Sequence, residues 1–211
     1  MSVGRLHIIT DYWFQQDLSH HELAARAIAG GADTIQFRQK HGTVRHMLSE
    51  AQRTAEVCRE RHVTFLVNDR ADVALAVGAS GVHVGQEDLP VSCARSLMGN
   101  RAIVGATATT LDQALAAQDD GASYIGFGPV FETSSKASPA SVKGLDALAR
   151  VCAAIKIPVI GIAGITADRI AEVLTAGAHG VAVMTAVSLS GDPESATREL
   201  ARAIRRYTGQ S

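Results

Sequence analysis

Eight short β-rich runs alternate with longer helix-periodic stretches along the whole chain, and no other feature narrows its folding options as far. The runs cover residues 6–10, 34–37, 64–67, 81–84, 103–106, 124–127, 159–162 and 180–183. Between them, Leu23/Ala27, Leu48/Ala51/Ala55, Leu111/Leu115, Leu145/Leu148/Cys152, Ile170/Val173/Leu174 and Leu200/Ala203/Ile204/Tyr207 recur at helical steps on one side. One-sided helices covering nearly continuous apolar strands are the pattern of a parallel sheet, because right-handed crossovers bury both of its faces.

A repeat closes the sheet. A Gly-Ala pair leads into a strand at Gly31-Ala32, Gly78-Ala79, Gly121-Ala122 and Gly177-Ala178, at separations of about 47, 43 and 56 residues. Each glycine falls where a helix would end in a left-handed cap, and the small alanine lets the chain turn back into the sheet. The repeating unit is two βα pairs, and eight pairs of about 26 residues consume the chain. The expected fold is therefore α/β, a single (β/α)8 TIM barrel, with residues 1–211 as one domain; no Pro/Ser-rich linker divides them. An open doubly wound sheet is the competitor, but it calls for a glycine-rich turn after strand one, where Asp11-Tyr12-Trp13-Phe14 has no glycine.

Charge and cysteine content exclude several functions. With 20 Lys+Arg against 21 Asp+Glu and no basic run, the chain lacks the footprint of a nucleic-acid or anionic-membrane binder. Cys58, Cys93 and Cys152 are odd in number and have no CxxC spacing, which argues against a disulfide framework or structural zinc and suits a reducing cytoplasm. The first residues hold too short an apolar stretch for a signal peptide, and no apolar run is long enough for a membrane span. His7, His83 and His179 sit in or near strands as expected core histidines without a role, and His20-His21 is expected at the surface. Trp13 and Phe14 could line an aromatic pocket but carry no assignment.

In a barrel, chemistry gathers at the C-terminal strand ends and the loops after them. Strand two ends in Gln36-Phe37-Arg38-Gln39-Lys40, where alternation sends Gln36, Arg38 and Lys40 to one side. They are either a ligand-facing set or ordinary solvated charges. Strand three ends in Asn68-Asp69-Arg70, and Asp88 follows strand four. Neighbouring parallel strands lie about 4.8 Å apart, so these acids either meet to hold one hard cation, with room for substrate phosphates, or merely cap the next helices. After strand six, residues 128–136 place Thr133, Ser134, Ser135 and Lys136 in a polar loop, either an oxyanion-binding lid or a plain connector. Strand seven ends in Ala163-Gly164-Ile165 and strand eight in Val183-Met184-Thr185, where glycine lets backbone N–H groups approach a phosphate or simply satisfies a turn.

The segments QFRQK, NDRADVALAVGASGVHVGQEDLP, YIGFGPVFETSSK, IPVIGIAGI and GVAVMTA, in this order over strands two to eight, resemble the thiamine-phosphate synthase family. That resemblance implies a (β/α)8 transferase of thiamine biosynthesis that joins a hydroxymethylpyrimidine diphosphate to a thiazole phosphate with Mg2+ and releases diphosphate. It implies that Gln36 contacts the pyrimidine and that Arg38, Lys40, Asn68 and Lys136 line its diphosphate. Asp69 and Asp88 would bind magnesium and Thr133, Ser135, Gly164 and Thr185 the thiazole phosphate, with Met184 also substrate-binding. Thr107 would sit near the leaving group, with Lys136, Thr107 and Arg38 as the catalytic set. The implied partners are these two small molecules, with neither nucleic acid nor membrane, and a homo-oligomer is compatible with the sequence.

Three motifs depart from the family pattern. Thr107-Ala108-Thr109 stands for Ser-x-His, Thr133-Ser134-Ser135-Lys136 for Thr-x-Thr-Lys, and Ala163-Gly164-Ile165 for Gly-Gly-Ile. The retained hydroxyls can still donate hydrogen bonds, while the Ala163 methyl is expected to crowd the phosphate. A related barrel, a thiazole tautomerase, is similar in VFETSSK but needs a general base; its relatives carry histidine where Thr109 stands here. A catalytically silent barrel that binds phosphate ligands is the third alternative.

Overall fold

A computed structural model of the protein describes residues 3–11, 17–133 and 141–209. Eight parallel strands close into a barrel in sequence order. They are β1 Leu6–Asp11, β2 Thr34–Arg38, β3 Thr64–Asn68, β4 Gly81–Val84, β5 Ile103–Ala108, β6 Tyr124–Phe127, β7 Val159–Ile162 and β8 Gly180–Val183. The helices α1 His20–Gly30, α2 Val44–Glu60, α3 Ala71–Ala76, α4 Val91–Met98, α5 Leu111–Asp119, α6 Gly144–Ala154 and α7 Ile170–Thr175 follow the first seven strands. After β8 come a four-residue helix, α8 Thr185–Ser188, and the long closing helix α9 Pro193–Thr208.

Strands β4, β6, β7 and β8 have the expected bounds, whereas β1, β2, β3 and β5 run one or two residues further toward their C-terminal ends. Hydrophobic runs mark only the part of a strand that lies in the core. The ladder itself continues into the polar mouth, where Asp11 pairs with Arg38, Asn68 with His83 and Ala108 with Phe127. The four Gly-Ala glycines adopt φ of 105°, 64°, 93° and 97° at Gly31, Gly78, Gly121 and Gly177, as left-handed caps require.

Two layers of core result. Outward strand residues such as Ile8, Ile35, Val82, Val104 and Ile125 pack under the helices, while Ile9, Leu66, Ile103, Tyr124, Ile160 and Ala182 fill the barrel. One expectation is overturned: His20 is not a surface residue but is only 2% exposed. Its Nδ1 lies 2.8 Å from Thr10 Oγ1 and its ring 4.4 Å from that of Phe37. The reason is periodic. His20 stands one turn before Leu23 and Ala24 on the buried face of α1, so the apolar stripe continues through it.

Candidate functional site

The strand extensions deliver charged residues to the C-terminal mouth. Arg38 at the end of β2 forms an ion pair with Asp11 at the end of β1, and Lys40, two residues on, pairs with Asp69 just beyond β3. The Asp69 carboxyl is hydrogen-bonded to that of Asp88, which in turn accepts the Gly85 N–H at 2.8 Å. Asp69 has φ 65°, a left-handed conformation uncommon outside glycine but tolerated by aspartate, and its own N–H donates to His83 O at 2.7 Å. The chain thus bends at Asp69 toward β4, where its carboxyl meets that of Asp88.

The electrostatics follow from this contact. Burial and the shared hydrogen bond hold Asp69 above the usual carboxylate range, against the pull of Lys40. Asp88 is also penalised by burial, but the hydrogen bonds from Asp69 and from the Gly85 N–H outweigh that and bring it below its ordinary value. Two carboxyls in contact therefore titrate as a coupled pair, with Asp69 the one that is harder to ionise. The donors are hard oxygens, and among the described residues no group of three or more His, Cys, Asp or Glu side chains gathers in one place. A pair of carboxylates suits magnesium, which retains waters and takes its remaining ligands from substrate phosphates, better than an all-protein cage.

Gln36, 4% exposed, lies buried on β2 in register with Ile9 and Leu66, both of which fill the barrel. Asn68 ends β3 in register with His83. Thr107 on β5 lies at the mouth, with its Oγ1 2.9 Å from His83 Nε2 and its carbonyl accepting Gln86 Nε2 at 2.6 Å.

Across the ring, the loop after β6 is stitched to the one after β7. Val130 N–H donates to Ile162 O at 2.9 Å and Phe131 N–H to Ala163 O at 3.2 Å. Ala163 and Gly164 are both left-handed, with φ 80° and 66°, so this turn bears non-glycine strain at Ala163. At Gly164 a Cβ would lie 2.4 Å from Glu132 O and 2.7 Å from Phe131 Cβ, which only glycine avoids. Arg169 holds the corner: its Nη1 donates to Gly164 O at 2.7 Å and its guanidinium lies 4.5 Å over the Phe131 ring. Met184 precedes α8, half-buried against the inner core, and Thr185 begins it. Thr133 is the last described residue of the loop after β6; Ser135 and Lys136 lie outside the described residues, as do Trp13 and Phe14.

The structure thus joins Lys40, Asp69 and Asp88, couples Arg38 to Asp11, and sets Gly164 beside the root of the loop that carries Thr133. Sequence reasoning misses Asp11, His83, Tyr124 and Arg169. Asp11 could be found by the strand-end logic that selects Arg38, whereas His83 and Tyr124 look like core and Arg169 like an ordinary surface cation.

An acidic pair flanked by a lysine on one side of a closed barrel's mouth, and a left-handed Ala-Gly turn on the other, place polar groups at the face where (β/α)8 barrel enzymes keep their active sites. The family model described as thiamine monophosphate synthase matches residues 6–187. The chain belongs to that family. It is 54% identical over 203 residues to the thiamine-phosphate synthase of Salinibacter ruber, covering 96% of this chain and 89% of that protein. With the enzyme of the same name from Methanocella arvoryzae it shares 48% over 202 residues, 96% of this chain and 95% of the other. Its fold superposes on the thiamine phosphate pyrophosphorylase of Pyrococcus furiosus with a TM-score of 0.87 at 37% identity, over 96% of each chain.

Proposed function

We propose that this chain is a thiamine-phosphate synthase, a transferase that joins hydroxymethylpyrimidine diphosphate to thiazole phosphate and releases diphosphate. The observation that carries the reading is the contact of Asp69 with Asp88 beside Lys40. Asp69 and Asp88 would hold magnesium, which when bound supplies positive charge to the diphosphate. Arg38, Lys40 and Asn68 bind the diphosphate from β2 and β3, joined by Lys136 from the lid loop. Gln36 meets the pyrimidine inside the barrel. Gly164 and Thr185, with Thr133 and Ser135, hold the thiazole phosphate, and Met184 lines the substrate site.

The carbon–oxygen bond to diphosphate breaks first, and the leaving group keeps the electron pair. The cations and the Thr107 hydroxyl stabilise the negative charge that gathers on it. The pyrimidine amino group spreads the positive charge on the exocyclic carbon, and the thiazole nitrogen, held close by its phosphate anchor, donates its lone pair to that carbon. No protein base is needed. The isomerase alternative lacks support at its key position, since Thr109 Oγ1 donates to Gln113 Oε1 at 3.0 Å and no histidine stands there. Three free cysteines suit a cytoplasmic enzyme. Among the described residues no helix is long and apolar enough to cross a membrane.

Incubating the purified protein with magnesium, hydroxymethylpyrimidine diphosphate and thiazole phosphate should yield thiamine phosphate and diphosphate in equal amounts, and a chelator should stop both. Absence of product with magnesium present would sink the reading.

A further inference from the structure

The barrel interior contains a polar chain that the proposed chemistry does not yet use. On β5, Gly105 is the register neighbour of both His83 on β4 and Tyr124 on β6. With no side chain between them, the two rings meet over it: a Cβ there would lie 2.3 Å from Tyr124 Cζ and 2.5 Å from His83 Nδ1. Tyr124 OH is 2.8 Å from His83 Nδ1, and His83 Nε2 is 2.9 Å from Thr107 Oγ1. One buried imidazole therefore links a phenol deep in the barrel to the hydroxyl at its mouth.

We propose that Tyr124 and His83 form a positioning relay with a fixed direction: Tyr124 O–H donates to His83 Nδ1, His83 Nε2–H donates to Thr107 Oγ1, and the Thr107 proton is turned outward as a donor to the departing diphosphate. This rests on the synthase reading of the site. The direction follows from the phenol. Burial pushes its ionisation up, so it keeps its proton and stays a donor, and His83 Nδ1, 2.8 Å away, is the acceptor that faces it. The phenolic proton then belongs to the line toward His83 Nδ1. A neutral ring that accepts at Nδ1 carries its proton on Nε2, facing Thr107. Run the other way, the chain would draw the Thr107 proton inward and present lone pairs to an oxyanion, which repels it. Tyr124 and His83 touch no substrate and act through Thr107.

The test has two arms. Long-range 1H–15N NMR on the resting protein with labelled histidine, at pH 8 and without substrate, should find His83 as the Nε2–H tautomer, with Tyr124→Phe admitting the Nδ1–H form. Removing one donor to developing negative charge costs on the order of a hundredfold, so Thr107→Val should lose about that in single-turnover rate, and Tyr124→Phe, which only frees the hydroxyl to turn, about tenfold. The KM for thiazole phosphate should stay unchanged, and the double variant should be no slower than Thr107→Val alone. An Nδ1–H tautomer in the unmodified protein overturns the relay, as does a Tyr124→Phe cost that is the same with and without the Thr107 hydroxyl. The NMR arm needs no turnover, so a protein with the expected tautomer that makes no thiamine phosphate fails the synthase reading and leaves the direction of the chain standing.

Discussion

Asp69 and Asp88, separated by the whole of α3 and β4, touch through their carboxyl groups at the barrel mouth, with the Lys40 ammonium against Asp69. Each carboxyl is where it is because of a backbone device: a left-handed residue at Asp69 and the Gly85 N–H that anchors Asp88. Bringing two carboxyls together penalises the ionisation of one of them, which makes the pair the centre of the first prediction.

If Asp69 and Asp88 hold magnesium as proposed, Asp88→Asn and Asp69→Asn should each lower the magnesium-dependent single-turnover rate by on the order of a hundredfold, through loss of one of the two proposed carboxylate ligands. Calorimetric titration of magnesium in the presence of diphosphate checks the same point independently, and should show weakened binding in both variants. Unchanged rates and unchanged binding would refute the clamp.

The turn after β7 makes the second prediction. Ala163→Gly relieves a left-handed alanine and should stabilise the protein by up to about 1 kcal/mol, after the entropy that glycine adds to the unfolded chain. It should also lower the KM for thiazole phosphate by removing the methyl. Arg169→Ala removes a charged hydrogen bond to Gly164 O worth about 1.5 kcal/mol and should raise that KM about tenfold while leaving the KM for the pyrimidine diphosphate unchanged. Steady-state kinetics in each substrate separates the two effects.

Gly105 and Gly78 are both glycines, yet substitution should cost very different amounts. A Cβ at Gly105 collides with Tyr124 and His83, so Gly105→Ala should destabilise by about 3 kcal/mol through overpacking. At Gly78, φ is 64° and nothing lies within 4 Å, so Gly78→Ala should cost only the backbone strain, about 1 kcal/mol. Urea unfolding of the two variants side by side measures the difference.

Buried histidines set the pH response. Burial lowers His20 from 6.5 to about 4 and His7 from 6.5 to about 3. Below pH 6.5 the unfolded chain takes up these protons while the folded chain does not, so stability falls with falling pH until the folded pKa is reached. His20 alone should account for about 3 kcal/mol of that loss. Between pH 6.5 and 5 the slope of unfolding free energy should correspond to roughly two protons in the parent and one in His20→Gln, read from denaturant unfolding at a series of pH values.

The sequence by itself determined the architecture, because barrel formation depends on periodicities that are local and survive in the linear order. Alternating apolar runs, one-sided helices and Gly-Ala caps all had their expected meaning, and strand-end position pointed to Arg38, Lys40, Asp69 and Asp88, which the fold gathers at the barrel mouth. His20 shows the limit of residue-type reasoning: its periodicity placed it inside although its chemistry suggested the surface. What only the tertiary structure decided were pairings between side chains on different strands. That Arg38 is tied to Asp11, that Arg169 braces Gly164, and that His83 reaches Thr107 across a missing side chain at Gly105 depend on register and on the closure of the ring. Those distances are fixed by which residues become neighbours around the barrel, and spacing along one strand carries no record of its neighbours.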